Sequence, residues 1–250
     1  MPFKVYAIER ELSLLACGNC GPDGGSLKTI RVLLLGLIEP VLYALMLFVP
    51  AWTFDYWQAW VFLLIYFPLF IWIPHLYLMR TNPTALQRRM VAGPVAEKRT
   101  TQKFVIAFGL LVRAATLVVS SLDHRFGWST VPTAICWLGI FLVAVGLGVM
   151  MLVVFENSYA AATIRVEGGQ ELISTGLYGL VRHPMYSGGV ILIVGIPLAL
   201  GSYWGLVFVI PGLILLALRI LDEEKLLRAQ LDGYREYTEK VRYRLVPSVW

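Results

Sequence analysis

Between His183 and Leu218 the chain carries no Asp, Glu, Lys or Arg, and the same is true from Tyr56 to Met79. A helix of roughly 20 apolar residues matches the hydrocarbon core of a bilayer and satisfies its own backbone hydrogen bonds there. The rest of the composition agrees. Hydrophobic residues make up 58% of the 250 and charged residues 15%, against about 25% charged in an average soluble domain. The chain therefore reads as an all-α integral membrane helical bundle.

The apolar runs divide it into about six transmembrane helices. Val32 to about Thr53 is the first, interrupted by Glu39-Pro40, and Tyr56 to Met79 is the second. Trp52, Trp57 and Trp60 bracket the turn between them, where an interfacial aromatic belt is expected. Phe104 to Leu122 and Val131 to Phe155 follow, the latter with Gly139, Gly146 and Gly148, which would let helices approach closely. The run from His183 to Leu218 is too long for one span and is broken at Leu200-Gly-Ser-Tyr203, giving the last two. Beyond Arg219, Leu221, Leu227, Leu231 and Tyr234 recur at helical spacing among charges, the pattern of a C-terminal amphipathic cytosolic helix lying along the surface.

Charge placement orients this scheme. With both termini on one side, all the lysines and arginines except Arg113 and Arg125 fall on that side or at its edge. Positive charge marks the cytoplasmic face, so both termini and the polar segments 80–103, 156–182 and 219–250 are expected there. The formal charge of +5 follows from topology and is no sign of nucleic acid. Three segments result: a cytosolic tail over 1–31, four spans over 32–155, and a C-terminal core over 156–250.

Few polar groups inside the spans invite a role. Glu39 and Arg113 are costly in hydrocarbon; either they serve a substrate site, or they pair or lie nearer an interface than the spans suggest. His75 is expected in a structural hydrogen bond, and His124 in the turn on the far side. Cys17 and Cys20 offer two ligands with no His nearby, so no metal site or disulfide framework is expected, and Cys136 reads as packing.

The segment Gly176-Leu-Tyr-Gly-Leu-Val-Arg-His-Pro-Met-Tyr-Ser-Gly-Gly189 gathers more chemistry than an interfacial anchor needs. Arg182 offers a fixed cationic fork, His183 an imidazole, Tyr186 an aromatic face with a hydroxyl, and Pro184 suits the first turn of a helix. The hairpin that follows returns the chain to the same membrane face at Arg219-Ile-Leu-Asp-Glu-Glu224. A ligand with a carboxylate, an ammonium, ribose hydroxyls and a flat base would use these groups. Arg182 and His183 suit the carboxylate, Glu223 or Glu224 the ammonium or ribose, and Tyr186 the base or a sulfonium. A Gly-x-Gly-x-x-Gly after a strand, as a dinucleotide fold requires, is missing.

From about Glu156 to Trp250 the chain resembles the isoprenylcysteine carboxyl methyltransferase family of integral membrane methyltransferases. The resemblance is carried by Arg182-His-Pro-Met-Tyr186-Ser-Gly188, Glu223-Glu224-Lys-Leu-Leu227, Tyr234-Arg-Glu-Tyr237 and Arg242-Tyr-Arg244-Leu-Val-Pro247. It implies S-adenosyl-L-methionine bound in a cytosol-facing pocket, with a lipid-like or small hydrophobic acceptor reaching it from the bilayer. Position by position it implies Arg182, His183, Pro184, Tyr186, Gly188, Arg219, Glu224 and Tyr237 as cofactor-binding. It implies Arg242, Arg244 and Glu223 as catalytic, the arginines closing or orienting the site. The acceptor stays open among an isoprenylcysteine carboxylate, a lipid amine and a small thiol. Sterol reductases are similar in the same C-terminal segment, which makes an NADPH-dependent membrane reductase the runner-up; a non-enzymatic membrane protein is the third reading.

Overall fold

The computed structural model describes residues 36–90, 97, 99–157 and 172–250, with the side chains of 87–90 left out. The expected N-terminal tail, the start of the first span at Val32, and Cys17 and Cys20 lie outside these residues. The chain divides into the units Met1–Glu39 and Pro40–Trp250, and the architecture below is that of the second.

Every regular element among the described residues is a helix. Helix α1 (Ile38–Ala51) is short and apolar. Helix α2 (Trp57–Thr81) widens into a π turn over Pro68–Trp72, where Ile73 N–H donates five residues back to Pro68 O. Pro68 and Pro74 have no amide hydrogen to keep a regular ladder, which accounts for the local change of pitch. His75 Nδ1 donates to the Ile71 carbonyl at 2.7 Å, the structural role expected of it.

Helix α3 (Pro83–Met90) follows at once, its start capped by Asn82 Oδ1, which accepts from Ala85 N–H at 3.0 Å. Helices α4 (Thr100–Phe126) and α5 (Thr133–Glu156) are long, and α4 ends on Gly127 in the left-handed conformation (φ +64°). Helix α6 is Pro184–Ala199, and α7 (Val209–Gln230) is led in by a 3₁₀ turn over Trp204–Phe208. The short α8 (Tyr234–Lys240) comes last.

Among the described residues, four helical stretches are long and apolar enough to cross a membrane: Trp57–Thr81, Thr100–Phe126, Thr133–Glu156 and Trp204–Gln230. Helices α1 and α6 are apolar but shorter. At 1.5 Å per residue, α6 with its 16 residues is about 24 Å long, less than the roughly 30 Å of hydrocarbon.

One expectation needs correcting. Arg219 does not begin a separate surface helix: α7 runs unbroken from Val209 to Gln230. Nothing between Leu218 and Gln230 breaks a helix, and the chain turns only at Gly233, which takes φ +76°. Arg219, Asp222, Glu223 and Glu224 are thus held on a rigid continuation of the last long apolar helix.

The connecting turns gather at two ends. At one end, His124 Nε2 donates to Asp55 O at 3.1 Å, Tyr56 OH to Leu200 O at 2.7 Å, and Tyr203 N–H to Ser129 Oγ at 3.2 Å. Buried Asp123, at the end of α4, accepts from the hydroxyls of Ser129 and Ser202, so one carboxylate ties two turns together. Exposed Trp52, Phe54, Trp60, Phe126, Trp128 and Trp204 ring this end, with the Arg125 guanidinium over the Trp52 and Phe126 rings. The polar motifs occupy the other end.

Helices α5 and α6 run antiparallel along a seam of glycines. A Cβ on Gly146 would lie 2.8 Å from Gly188 O, one on Gly188 2.7 Å from Gly146 O, and one on Gly195 3.1 Å from Val143 N. Gly148 has open space around its Cα and takes no part. It sits two residues, or about 200°, around the helix from Gly146. Leu47, Phe62, Tyr66, Leu117, Val143 and Leu147 fill the core between α1, α2, α4 and α5.

Candidate active site

Where α6 begins, the preceding residues are fixed by the end of the chain. Arg182 N–H donates to Tyr243 O and His183 N–H to Arg244 O, each at 2.9 Å. Ser187 Oγ donates to Leu245 O at 2.7 Å. Pro184 is the first helical residue, where a missing amide hydrogen loses nothing. This stitching brings Arg182, His183 and Arg244 to the buried carboxylate of Glu224 on α7.

Glu224 is 4% exposed. Its Oε1 accepts from Arg182 Nη1 at 2.7 Å and from His183 Nε2 at 3.3 Å. Its Oε2 accepts from Arg244 Nε at 3.1 Å and Nη2 at 3.0 Å, a two-pronged contact, and Arg228 lies 4.0 Å away. Arg182 Nη2 also donates to the Arg242 carbonyl at 2.7 Å. The Arg244 guanidinium rests 5.1 Å from the Trp250 ring centre.

A second network stands beside the first. Tyr186 OH donates to Glu223 Oε2 at 2.6 Å and accepts from Arg219 Nε at 2.9 Å. The Tyr186 ring stacks on His183 with centroids 5.6 Å apart, which joins the two networks. Arg219 Nη1 donates to Gln102 Oε1 at 3.2 Å, and Gln102 Nε2 to Asp222 Oδ2 at 2.6 Å. Arg99 closes the row with a 2.5 Å ion pair to Asp222 Oδ1.

Tyrosines form the outer wall. Tyr237 OH donates to Tyr178 O at 2.7 Å, and Asn157 Nδ2 donates to Tyr178 OH at 2.9 Å. Burial pushes the Tyr178 hydroxyl up to about 12, and burial likewise raises those of Tyr234 and Tyr237. These three hydroxyls stay protonated through the neutral range and so do not serve as bases; that of Tyr237 donates and that of Tyr178 accepts.

Of the expected site residues, Arg182, His183, Tyr186, Arg219, Glu223, Glu224 and Arg244 meet through side chains, and Tyr237 stands in the adjoining wall. Arg242 contributes its carbonyl, while the residue itself is exposed. Gly188 faces Gly146 across the α5–α6 seam. Gln102 and Asp222 were not singled out from sequence. Asp222 lay within a noted cluster, but a glutamine at the polar start of an apolar run carries no signal by itself.

Two polar atoms here lack partners. Arg182 Nε and the Tyr234 hydroxyl are buried and find no hydrogen bond among the described residues. Tyr234 lies in the field of Glu224, Glu223 and Arg182. Buried polar groups are nearly always paired, so a free donor and a free hydroxyl beside a cationic cluster fit a polar, partly anionic small molecule.

Residues 134–232 match the phospholipid methyltransferase family model. The match runs from the first turn of α5 to the end of α7, and so includes Arg182, His183, Tyr186, Arg219, Glu223 and Glu224. Over that segment the resemblance to integral membrane methyltransferases is borne out. The chain is also similar to the Delta(14)-sterol reductase of Mus musculus, at 32% identity over 91 residues, which is 35% of this chain and 22% of that protein. The chain thus spans about a fifth of the length of that relative.

Proposed function

We propose that this protein is an S-adenosyl-L-methionine-dependent methyltransferase of the membrane, acting on a lipid-like or hydrophobic acceptor. The observation that carries the reading is the junction of the Arg182–His183–Arg244–Glu224 cluster with the Tyr186–Glu223–Arg219 network, inside the segment that matches a methyltransferase family. In this reading the segment 156–250 forms the binding core on a scaffold of spans, with six crossings and both termini in the cytoplasm.

When bound, S-adenosylmethionine supplies an electrophilic methyl group on a sulfonium. The chain's own residues bind, orient and exclude water. Arg182 Nε and the Tyr234 hydroxyl would hold a carboxylate or ribose oxygen, and Glu223 would provide the negative charge that an ammonium or sulfonium needs, while Glu224 keeps Arg182, His183 and Arg244 in place. The stacked His183 and Tyr186 rings offer a flat wall. Attack by an anionic acceptor on a sulfonium cancels charge, so in-line placement away from bulk water is the main lever. An amine or alcohol acceptor also needs somewhere for its proton, and His183 and Glu223 are the groups available.

Calorimetric titration of S-adenosylhomocysteine into purified protein tests the proposal. Binding to the wild type and its loss in Arg182→Ala are expected, and a wild type that binds none overturns the reading. The similarity to a sterol reductase favours a second reading as an NADPH-dependent reductase. A fluorescence change on adding NADPH, in protein that ignores S-adenosylhomocysteine, would select it.

A further inference from the structure

We infer that Gln102, on α4 and outside the family-matched segment, is a positioning residue for the candidate active site: it sets Arg219, and through Arg219 the hydroxyl of Tyr186 and the carboxylate of Glu223. The inference rests on the reading of this site as the methyl-donor site.

The side chain is fully buried, at 0% exposure. Both ends of its amide are used, and by two residues one turn apart on α7: Oε1 accepts from Arg219 Nη1 at 3.2 Å and Nε2 donates to Asp222 Oδ2 at 2.6 Å. The chemistry of the partners fixes the amide's orientation, because a guanidinium needs an acceptor and a carboxylate needs a donor. Simple attachment of α4 to α7 does not require this, since Arg99 already pairs with Asp222 at 2.5 Å. What Gln102 adds is a fixed angle for the guanidinium of Arg219.

That angle matters downstream. Arg219 uses Nε to donate to Tyr186 OH at 2.9 Å, and Tyr186 in turn donates to Glu223 at 2.6 Å. Polar side chains joined in a row inside a low-dielectric site respond as a unit. A guanidinium that lost this contact would settle toward its remaining carboxylate neighbours, Glu97 and Glu223, and shift against Tyr186, whose ring lies against His183. The N-terminal half of the chain therefore reaches the guanidinium of Arg219 through a buried amide.

The test uses Gln102→Met, which keeps length but removes both contacts, and Gln102→Glu, which keeps the acceptor for Arg219. Steady-state kinetics of methyl transfer from labelled S-adenosylmethionine into a lipid extract, S-adenosylhomocysteine affinity and thermal midpoint are read for each. Gln102→Met is expected to lose about tenfold to a hundredfold in kcat/KM, the scale on which misplacement of reacting groups is felt. Gln102→Glu, which keeps the acceptor for Arg219 but sets a second carboxylate against Asp222, is expected to lose less kcat/KM than Gln102→Met while lowering the thermal midpoint. In an Arg219→Ala background, Gln102→Met should add no further loss, because both act through the same guanidinium. Wild-type kinetics in Gln102→Met, or losses that multiply with those of Arg219→Ala, would overturn the inference. Should Gln102→Met unfold, Gln102→Asn, which keeps the amide but shortens its reach, is read in the same two backgrounds: a loss as large with Arg219→Ala as without it also overturns the inference. A wild type that binds no S-adenosylhomocysteine removes the proposed function itself, whereas intact binding with unchanged Gln102 variants removes only this step.

Discussion

Glu224 is the residue on which the site's electrostatics balance. Two arginines and a histidine converge on a carboxylate that has almost no contact with solvent. Removing one partner of a buried ion pair leaves the others uncompensated, at a cost of about 3–5 kcal/mol. Glu224→Ala is therefore expected to destabilise the protein by that amount in equilibrium unfolding in detergent. Glu224→Gln, which still presents an acceptor, should lose less. Equal stability of Glu224→Ala and wild type would mean that water reaches the cluster. At this scale the sequence was informative for the charged residues and for Tyr186, and silent for Gln102. Arg182, His183, Glu223 and Glu224 stand out because charge next to an apolar run is costly and demands a reason, whereas Gln102 looks like any polar residue near an interface.

Among the elements, the α5–α6 pair decides where the site's first half sits. Helix α6 is too short to fix its own depth in a bilayer, and its glycine seam against α5 sets that depth. Gly139 is the tightest point, since a Cβ there would lie 2.1 Å from the Ala199 amide nitrogen. Gly139→Ala should destabilise by at least about 1–3 kcal/mol, the usual cost of overpacking, because backbone cannot swing aside as a side chain can. Gly148→Ala meets open space and should be neutral or gain up to about 1 kcal/mol from helix propensity. Comparing the two by thermal unfolding in micelles tests the seam; equal effects would sink it. Small residues on one helix were readable in the sequence as a packing signal. Which of them face the partner was not, because that depends on a rotation of 100° per residue that only the docked pair reveals.

For the whole molecule, the grouping of turns at two ends bears on orientation. Single cysteines at Thr81 and Glu239, near the site end, and at Thr130, in a turn of the opposite end, can be introduced into protein lacking Cys17, Cys20 and Cys136. Impermeant labelling of sealed vesicles is expected to reach Thr81 and Glu239 from the cytoplasmic side and Thr130 from the other. Labelling of all three from one side would remove the membrane-crossing arrangement. The basic residues at one end and the aromatic ring at the other make the two faces physically unequal.

The sequence alone determined the class of protein, the extents of α2, α5 and α6 to within a turn, and the two polar motifs. These depend on one residue's solvation against a bilayer of given thickness, which is a local property of the chain. Tertiary structure alone decided that α7 carries its acidic residues onward as one helix, that Gly188 faces α5, and that Gln102 meets Arg219 and Asp222. Those outcomes depend on the rotation and depth at which distant helices dock, and close packing settles both only when the helices are together.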